Sequence, residues 1–210
     1  MNDSMRVFLW NPARGSAIRP AAALLSILLL ACAAPAGAQS VLFDFDSAPL
    51  NTPLPLDVSV GSLTAHLSAT DQGYSIQRAD SLGFTPAGFA GHSIYPSSVF
   101  AADLLIGFSQ TLQDFSIMYA PEEYACDSSA TLRVTAYRGT TFVATATTTA
   151  PVPGTWPTGV LALSAQQAFD NVVVHYDAAP PTGGDWGPIF MADNMIVTVS
   201  ANIIFANGFD

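Results

Sequence analysis

Ala130-Thr131-Leu132-Arg133-Val134-Thr135-Ala136-Tyr137 alternates apolar and polar residues with a period of two, and Thr141 to Thr149 resumes a similar pattern after Arg138-Gly139-Thr140. A period of two is that of a strand with one face in a core: Leu132, Val134 and Ala136 point one way, and Thr131, Arg133, Thr135 and Tyr137 the other. A short connection containing glycine between two such runs is a hairpin. The same reading extends outward in both directions. Runs rich in Val, Ile, Thr, Phe and Tyr, punctuated by Gly, Pro, Asn and Asp, give further strands at Val41 to Asp46, Leu63 to Ser68, Asp103 to Phe108, Leu112 to Tyr119, Gly159 to Leu163, Phe169 to Tyr176 and Ile189 to Val199. No stretch after residue 38 combines helical periodicity with caps. About nine strands at short spacing predict an all-β fold, a two-sheet antiparallel β-sandwich of jelly-roll type over residues 39–200, with 201–210 as a tail.

The first 38 residues read differently. Arg6, Arg14 and Arg19 precede the apolar run Ala21 to Ala34, and Ala36-Gly37-Ala38 supplies small residues at a cleavage position, the pattern of a secretory signal peptide cut to leave Gln39 first. Leu29-Leu30-Ala31-Cys32 offers an alternative, a lipobox in which Cys32 becomes the lipidated first residue. The expected location is therefore secreted, or the cell surface or periplasm. No second apolar run approaches the roughly 20 residues of a spanning helix, so no transmembrane helix is expected in the mature chain. Either cut leaves Cys126 without an intrachain partner, and its acidic neighbourhood predicts a buried, unreactive thiol.

The 210-residue chain carries a formal net charge of -10 and no lysine. Beyond the leader its cations are Arg78, Arg133 and Arg138. Such a chain repels phosphate backbones, which excludes nucleic acid as a partner and leaves divalent cations and neutral ligands. Catalytic patterns are missing as well: there is no Gly-x-Ser-x-Gly elbow, no phosphate-cradling glycine loop, and His66, His92 and His175 lack the spacing of a metal site. His92 and Ser93 are adjacent, so on an extended chain they point apart. Glu122 and Glu123, side by side, read as a solvated turn.

Two segments echo each other, Phe169-Asp170-Asn171-Val172-Val173-Val174 and Ala192-Asp193-Asn194-Met195-Ile196-Val197, each with Asp-Asn at the expected entrance of an apolar strand. Turn chemistry explains the pair, because Asp and Asn bond their own backbone; a ligand or metal role for one aspartate is the alternative. With Phe43-Asp44-Phe45-Asp46, the Leu132 to Tyr137 strand, Trp156-Pro157 and the closing Asp193 to Val197 run, the chain resembles exported bacterial jelly-roll domains that accompany surface-sorting tails. Those in turn are similar to galactose-binding or carbohydrate-binding modules. The resemblance implies a glycan or another envelope component as partner. It also implies that first and last strands meet, where a structural calcium would draw on Asp44, Asp46 and Asp193. No other cofactor is expected.

The aromatics Trp156 and Trp186 fall in glycine- and proline-rich loops, where an indole stacks on a sugar ring or packs under the sheet edge. The functional expectation is thus a non-catalytic, secreted or surface-displayed sandwich that binds glycan through Trp156 and Trp186. A purely structural envelope module is its rival, and a glycoside-active enzyme is a distant third.

Overall fold

The computed structural model describes residues 39–71, 73–81, 83–98, 102–121, 131–149, 158–177 and 189–201. Among them the only regular elements are strands: β1 (Gln39–Phe43), β2 (Thr52–Pro53), β3 (Leu56–Val60), β4 (Leu63–Ala69), β5 (Tyr74–Arg78), β6 (His92–Pro96), β7 (Leu104–Pro121), β8 (Thr131–Arg138), β9 (Thr141–Thr149), β10 (Gly159–Tyr176) and β11 (Phe190–Val199). Among the described residues no helix is long and apolar enough to cross a membrane. The expected leader, Cys32, Cys126, Glu122, Glu123, Trp156, Trp186 and the tail from residue 202 lie outside the described residues.

Two long strands organise the fold. β7 and β10 have 18 residues each and pair with one another along most of their length. Their two halves take different outer neighbours. The first part of β7 bonds to β4, which carries β3, while the second part of β10 bonds to β8, which carries β9. The second part of β7 bonds instead to β11, which carries β1 over Met195 to Val199 and meets β6 at Ala192; β5 and β2 follow. The hydrogen-bonded network therefore folds over itself as two antiparallel sheets sharing β7 and β10, the sandwich expected from the sequence.

The inward-facing residues change phase where these strands pass between sheets. In β7 they run Leu104, Ile106, Phe108, Leu112 and then Phe115, Ile117, Tyr119; in β10 they run Leu161, Leu163, Ala165, Phe169 and then Val172, Val174, Tyr176. Every one of them belongs to a single apolar cluster between the sheets. Side chains of this size contribute about 1.5 to 3 kcal/mol each on full burial, so the register is fixed by the cost of turning them outward. The phase changes coincide with slips in the β7–β10 register between Ser164 and Phe169 and between Phe169 and Asn171. These are the irregularities that let one strand serve two sheets.

The alternation read in β8 holds, with Leu132, Val134 and Ala136 all fully buried. Other boundaries change. Four expected strands are two continuous ones, because the polar stretch Ser109-Gln110-Thr111 and the segment Ser164 to Ala168 stay extended across the bend. β2, β3, β5 and β6 are not among the expected strands. β1 stops at Phe43, so Asp44 and Asp46 lie in the turn after it, where Phe45 adopts φ 59°, and do not share the face of a strand.

Candidate binding face

Across the sheet β3-β4-β7-β10-β8-β9, the register places Asp57, His66, Gly107, Asn171, Tyr137 and Phe142 side by side in one row. Their chain neighbours Val58, Ala65, Ile106, Val172 and Ala136 are buried, so the row itself faces outward. With strands spaced ~4.8 Å apart, five steps make a row of roughly 24 Å.

Gly107 sits in its middle. A Cβ there would meet nothing nearer than the His66 Cβ at 4.0 Å, so the missing side chain leaves open space over the backbone. Two depressions of about 370 and 470 Å³ lie along this part of the sheet and share Phe108, Ser109 and Asp170 as lining. At the far end Phe142 is 58% exposed, and its ring meets that of Tyr137 edge to face, with centroids 6.4 Å apart and planes at 82°.

The polar groups beside this aromatic ledge are set by the β10 irregularity. A strand normally sends consecutive side chains to opposite faces, but at the slip between Phe169 and Asn171 both Asp170 and Asn171 reach the outer side. Asn171 Nδ2 donates to Asp170 Oδ1 at 2.7 Å and to the Gly139 carbonyl at 2.9 Å, while Asp170 Oδ1 accepts the Gly139 N–H at 2.8 Å. Arg138 pairs with the other Asp170 oxygen at 3.5 Å. The β8–β9 turn is thereby clasped onto β10, which fixes both carboxylate and amide relative to Tyr137 and Phe142.

Two histidine–aspartate pairs complete the face. His66 Nδ1 lies 2.5 Å from Asp57 Oδ1 at one end of the row, and His175 Nδ1 lies 2.6 Å from Asp103 Oδ1 further along the same sheet. A carboxylate on Nδ1 holds the imidazole in one orientation and fixes the proton on that nitrogen.

The Asp-Asn echo has a common structural meaning, and it differs from the one expected. Neither pair opens a strand: both sit at irregularities inside one, since the β11 register slips between Asp193 and Ile196 and Asn194 adopts φ 48°. Asp193 Oδ2 accepts the Ala90 N–H at 3.2 Å, and Asn194 Nδ2 donates to the Gly88 carbonyl at 3.2 Å. Each pair thus clasps a glycine-containing turn. The turn-forming chemistry of Asp and Asn is present, but between strands rather than at a strand entrance.

Asp44, Asp46 and Asp193 are brought into one neighbourhood, because β1 and β11 pair as the first and last strands. Burial pushes the Asp193 carboxyl up to about 7; the Ala90 and Asn194 N–H groups oppose the shift, and the charges of Asp46 and Asp44 add to it. The three do not form a ready cage. Asp44 Oδ1 accepts the Asp46 N–H, Asp46 Oδ1 accepts the His92 N–H at 2.7 Å, and both Asp193 oxygens hold amides. Among the described residues no group of three or more His, Cys, Asp or Glu side chains is placed to hold a metal ion. A calcium ion here would have to share both Asp193 oxygens with backbone amides.

The row itself is not foreseen from the sequence. Asp57, His66, Gly107, Asn171, Tyr137 and Phe142 come from six strands, and only the pairing registers join them. The usable local signals are the exposed-face position of Tyr137 and the Asp170-Asn171 dipeptide.

No protein-family model matches the chain. No curated protein matches it. Among solved structures, a mutant of the family 29 carbohydrate-binding module CBM29-2 superposes with a TM-score of 0.37 at 13% identity, covering 77% of this chain and 92% of that one. A cleaved adhesin domain of Lys-gingipain from Porphyromonas gingivalis W83 gives 0.45 at 13% identity, over 77% of this chain and 99% of that one. A second cleaved adhesin domain of Lys-gingipain gives 0.47 at 12% identity, over 77% and 100%. These neighbours are of the kind the sequence resemblance named. Likeness of this degree carries no argument about what the present chain binds.

Proposed function

We propose that the chain is an exported, non-catalytic module that binds a glycan across the row from Asp57 to Phe142. The observation that carries this reading is the exposed ring of Phe142, braced by Tyr137, beside the clasped Asp170–Asn171 pair and the open floor at Gly107. A pyranose ring has an apolar face of C–H groups and a rim of hydroxyls. It is met by an aromatic surface next to fixed donors and acceptors, and both are present here. The rival, a purely structural envelope module, would have its aromatics wholly buried, and Phe142 is not. Trp156 and Trp186 belong to the same proposal as further stacking residues.

Export rests on the leader pattern of residues 1–38, with Gln39 as the new first residue or, alternatively, acylated Cys32. A structural calcium at Asp44, Asp46 and Asp193 is likewise proposed, on the strength of their shared neighbourhood.

The experiment is a glycan array probed with the purified chain and with Phe142→Ala, Tyr137→Ala and Asn171→Ala. Signals on a defined set of glycans that fall in all three variants support the reading. Blank arrays, or signals indifferent to the three changes, contradict it.

A further inference from the structure

The row carries charges as well as an aromatic ledge, and their arrangement bears on which glycans it accepts. Given the binding reading above, on which this rests, the described arginines of that sheet are Arg138 and Arg133. Arg138 faces Asp170, and Arg133 faces Asp177 at 3.0 Å. Arg78, the third described arginine, stands on the other sheet with both oxygens of Asp80 at 2.8 and 2.7 Å.

A partly exposed ion pair is weak, about 0.2 to 1 kcal/mol, so the pairing alone would not prevent an incoming carboxylate from taking the arginine. The fixing of the aspartate prevents it. Asp170 is tied by the Gly139 N–H and the Asn171 amide, independently of Arg138. It therefore stays when another anion approaches and repels that anion at close range. Asp57 and Asp103 stand behind the two histidines on the same face.

We propose that the Arg138–Asp170 pair is a specificity determinant that makes this face select uncharged glycans and reject uronic or sulfated ones. A neutral hydroxyl meets both a donor and an acceptor at this pair. A carboxylate or sulfate meets a cation already faced by a carboxylate that stays in place beside it.

The test is affinity electrophoresis of the full chain at low ionic strength, where charge effects are least screened. Gels contain a neutral galactomannan or β-glucan, polygalacturonate, or heparin. Wild type is retarded by a neutral polysaccharide and at least tenfold less by either anionic one. Asp170→Asn, which keeps the oxygen that accepts from Gly139 but removes the charge, gains retardation by polygalacturonate of threefold or more. Asp170→Ser, which removes the same charge, is the second variant should the first fail to fold, and it gains in the same way. One charge in a net of -10 alters the global field little, so such a gain reports the local pair. Equal retardation of wild type by neutral and anionic chains overturns the inference while leaving glycan binding intact, as does a folded pair of variants with no gain. Retardation by none of the polysaccharides removes the binding reading and this inference with it.

Discussion

Asn171 lies directly opposite Gly107 in the antiparallel register of β10 and β7, so the amide that clasps the β8–β9 turn stands beside a position with no side chain. A glycine inside a strand weakens it, through backbone entropy and lost packing, and often marks a place where another molecule approaches the backbone. Here the protein itself does not require the glycine.

That separation yields a prediction. Gly107→Val introduces a Cβ whose nearest neighbour is the His66 Cβ at 4.0 Å, and valine favours strand geometry. Thermal stability should stay level or rise by up to about 1 kcal/mol, while glycan retardation is lost. A melt and a binding assay on the same preparation check both halves; a destabilised variant would mean that the trough is needed by the fold.

Two other glycines separate backbone conformation from collision. Gly61 and Gly91 have φ of 60° and 54°, yet a Cβ at Gly61 would meet nothing within 4 Å, whereas one at Gly91 would overlap the Asp46 carboxyl that holds His92 N–H. Gly61→Ala should cost on the order of 1 kcal/mol from the left-handed conformation alone. Gly91→Ala should cost at least about 1 kcal/mol more, seen as a lower urea midpoint with unchanged slope.

Asp193 gives stability a pH dependence of known sign. An ordinary aspartate ionises at 3.8, and the buried Asp193 at about 7. Below the lower value both folded and unfolded chains hold the proton. Between the two only the folded chain does, so this group's contribution falls as pH rises and its loss is complete above about 7. The full change is of order a few kcal/mol. Urea titrations at about pH 4.5, 6 and 8 in Asp193→Asn should lack that decline, because an amide does not ionise. A decline of the same size in the variant would assign it elsewhere.

Calcium bears on the same carboxyl with a different signature. An ion that binds only the folded chain raises its stability by about 2.7 kcal/mol at a hundredfold excess over the dissociation constant. Melts of wild type in calcium and in chelator should then differ by several degrees, and those of Asp193→Ala should coincide. Superimposable wild-type melts would leave Asp46 and Asp193 as holders of the 88–92 segment and Asp44 as a partner of the Asp46 N–H.

The alternation in Thr131 to Tyr137 is local and nearly free of competing signals, which is why β8, β9 and the sandwich class were legible in the sequence. β5 and β6 were not, because Tyr74-Ser75-Ile76 and Ser93-Ile94 bury serine as well as apolar residues and so lack a clean period of two. The pairing of β1 with β11 was expected, and Asp44, Asp46 and Asp193 do approach one another; the amides of Ala90 and His92 that occupy Asp193 and Asp46 come from the 88–92 segment, which no pattern in those three positions announces. The binding row was least legible of all. Gly107 and His66 acquire meaning only beside Asn171 and Tyr137, and that adjacency is set by register slips in β7 and β10.

The central claim is that a glycan lies against Phe142, and affinity electrophoresis of wild type and Phe142→Ala in the same neutral polysaccharide tests it most directly. Phe142 is largely exposed, so its removal leaves the core intact and the melt unchanged. Lost ring stacking together with lost apolar contact of about 1.4 kcal/mol corresponds to a tenfold weaker complex. The account predicts clear retardation of wild type and at least a tenfold loss in Phe142→Ala; equal retardation of the two proteins, or of neither by any glycan, would contradict it.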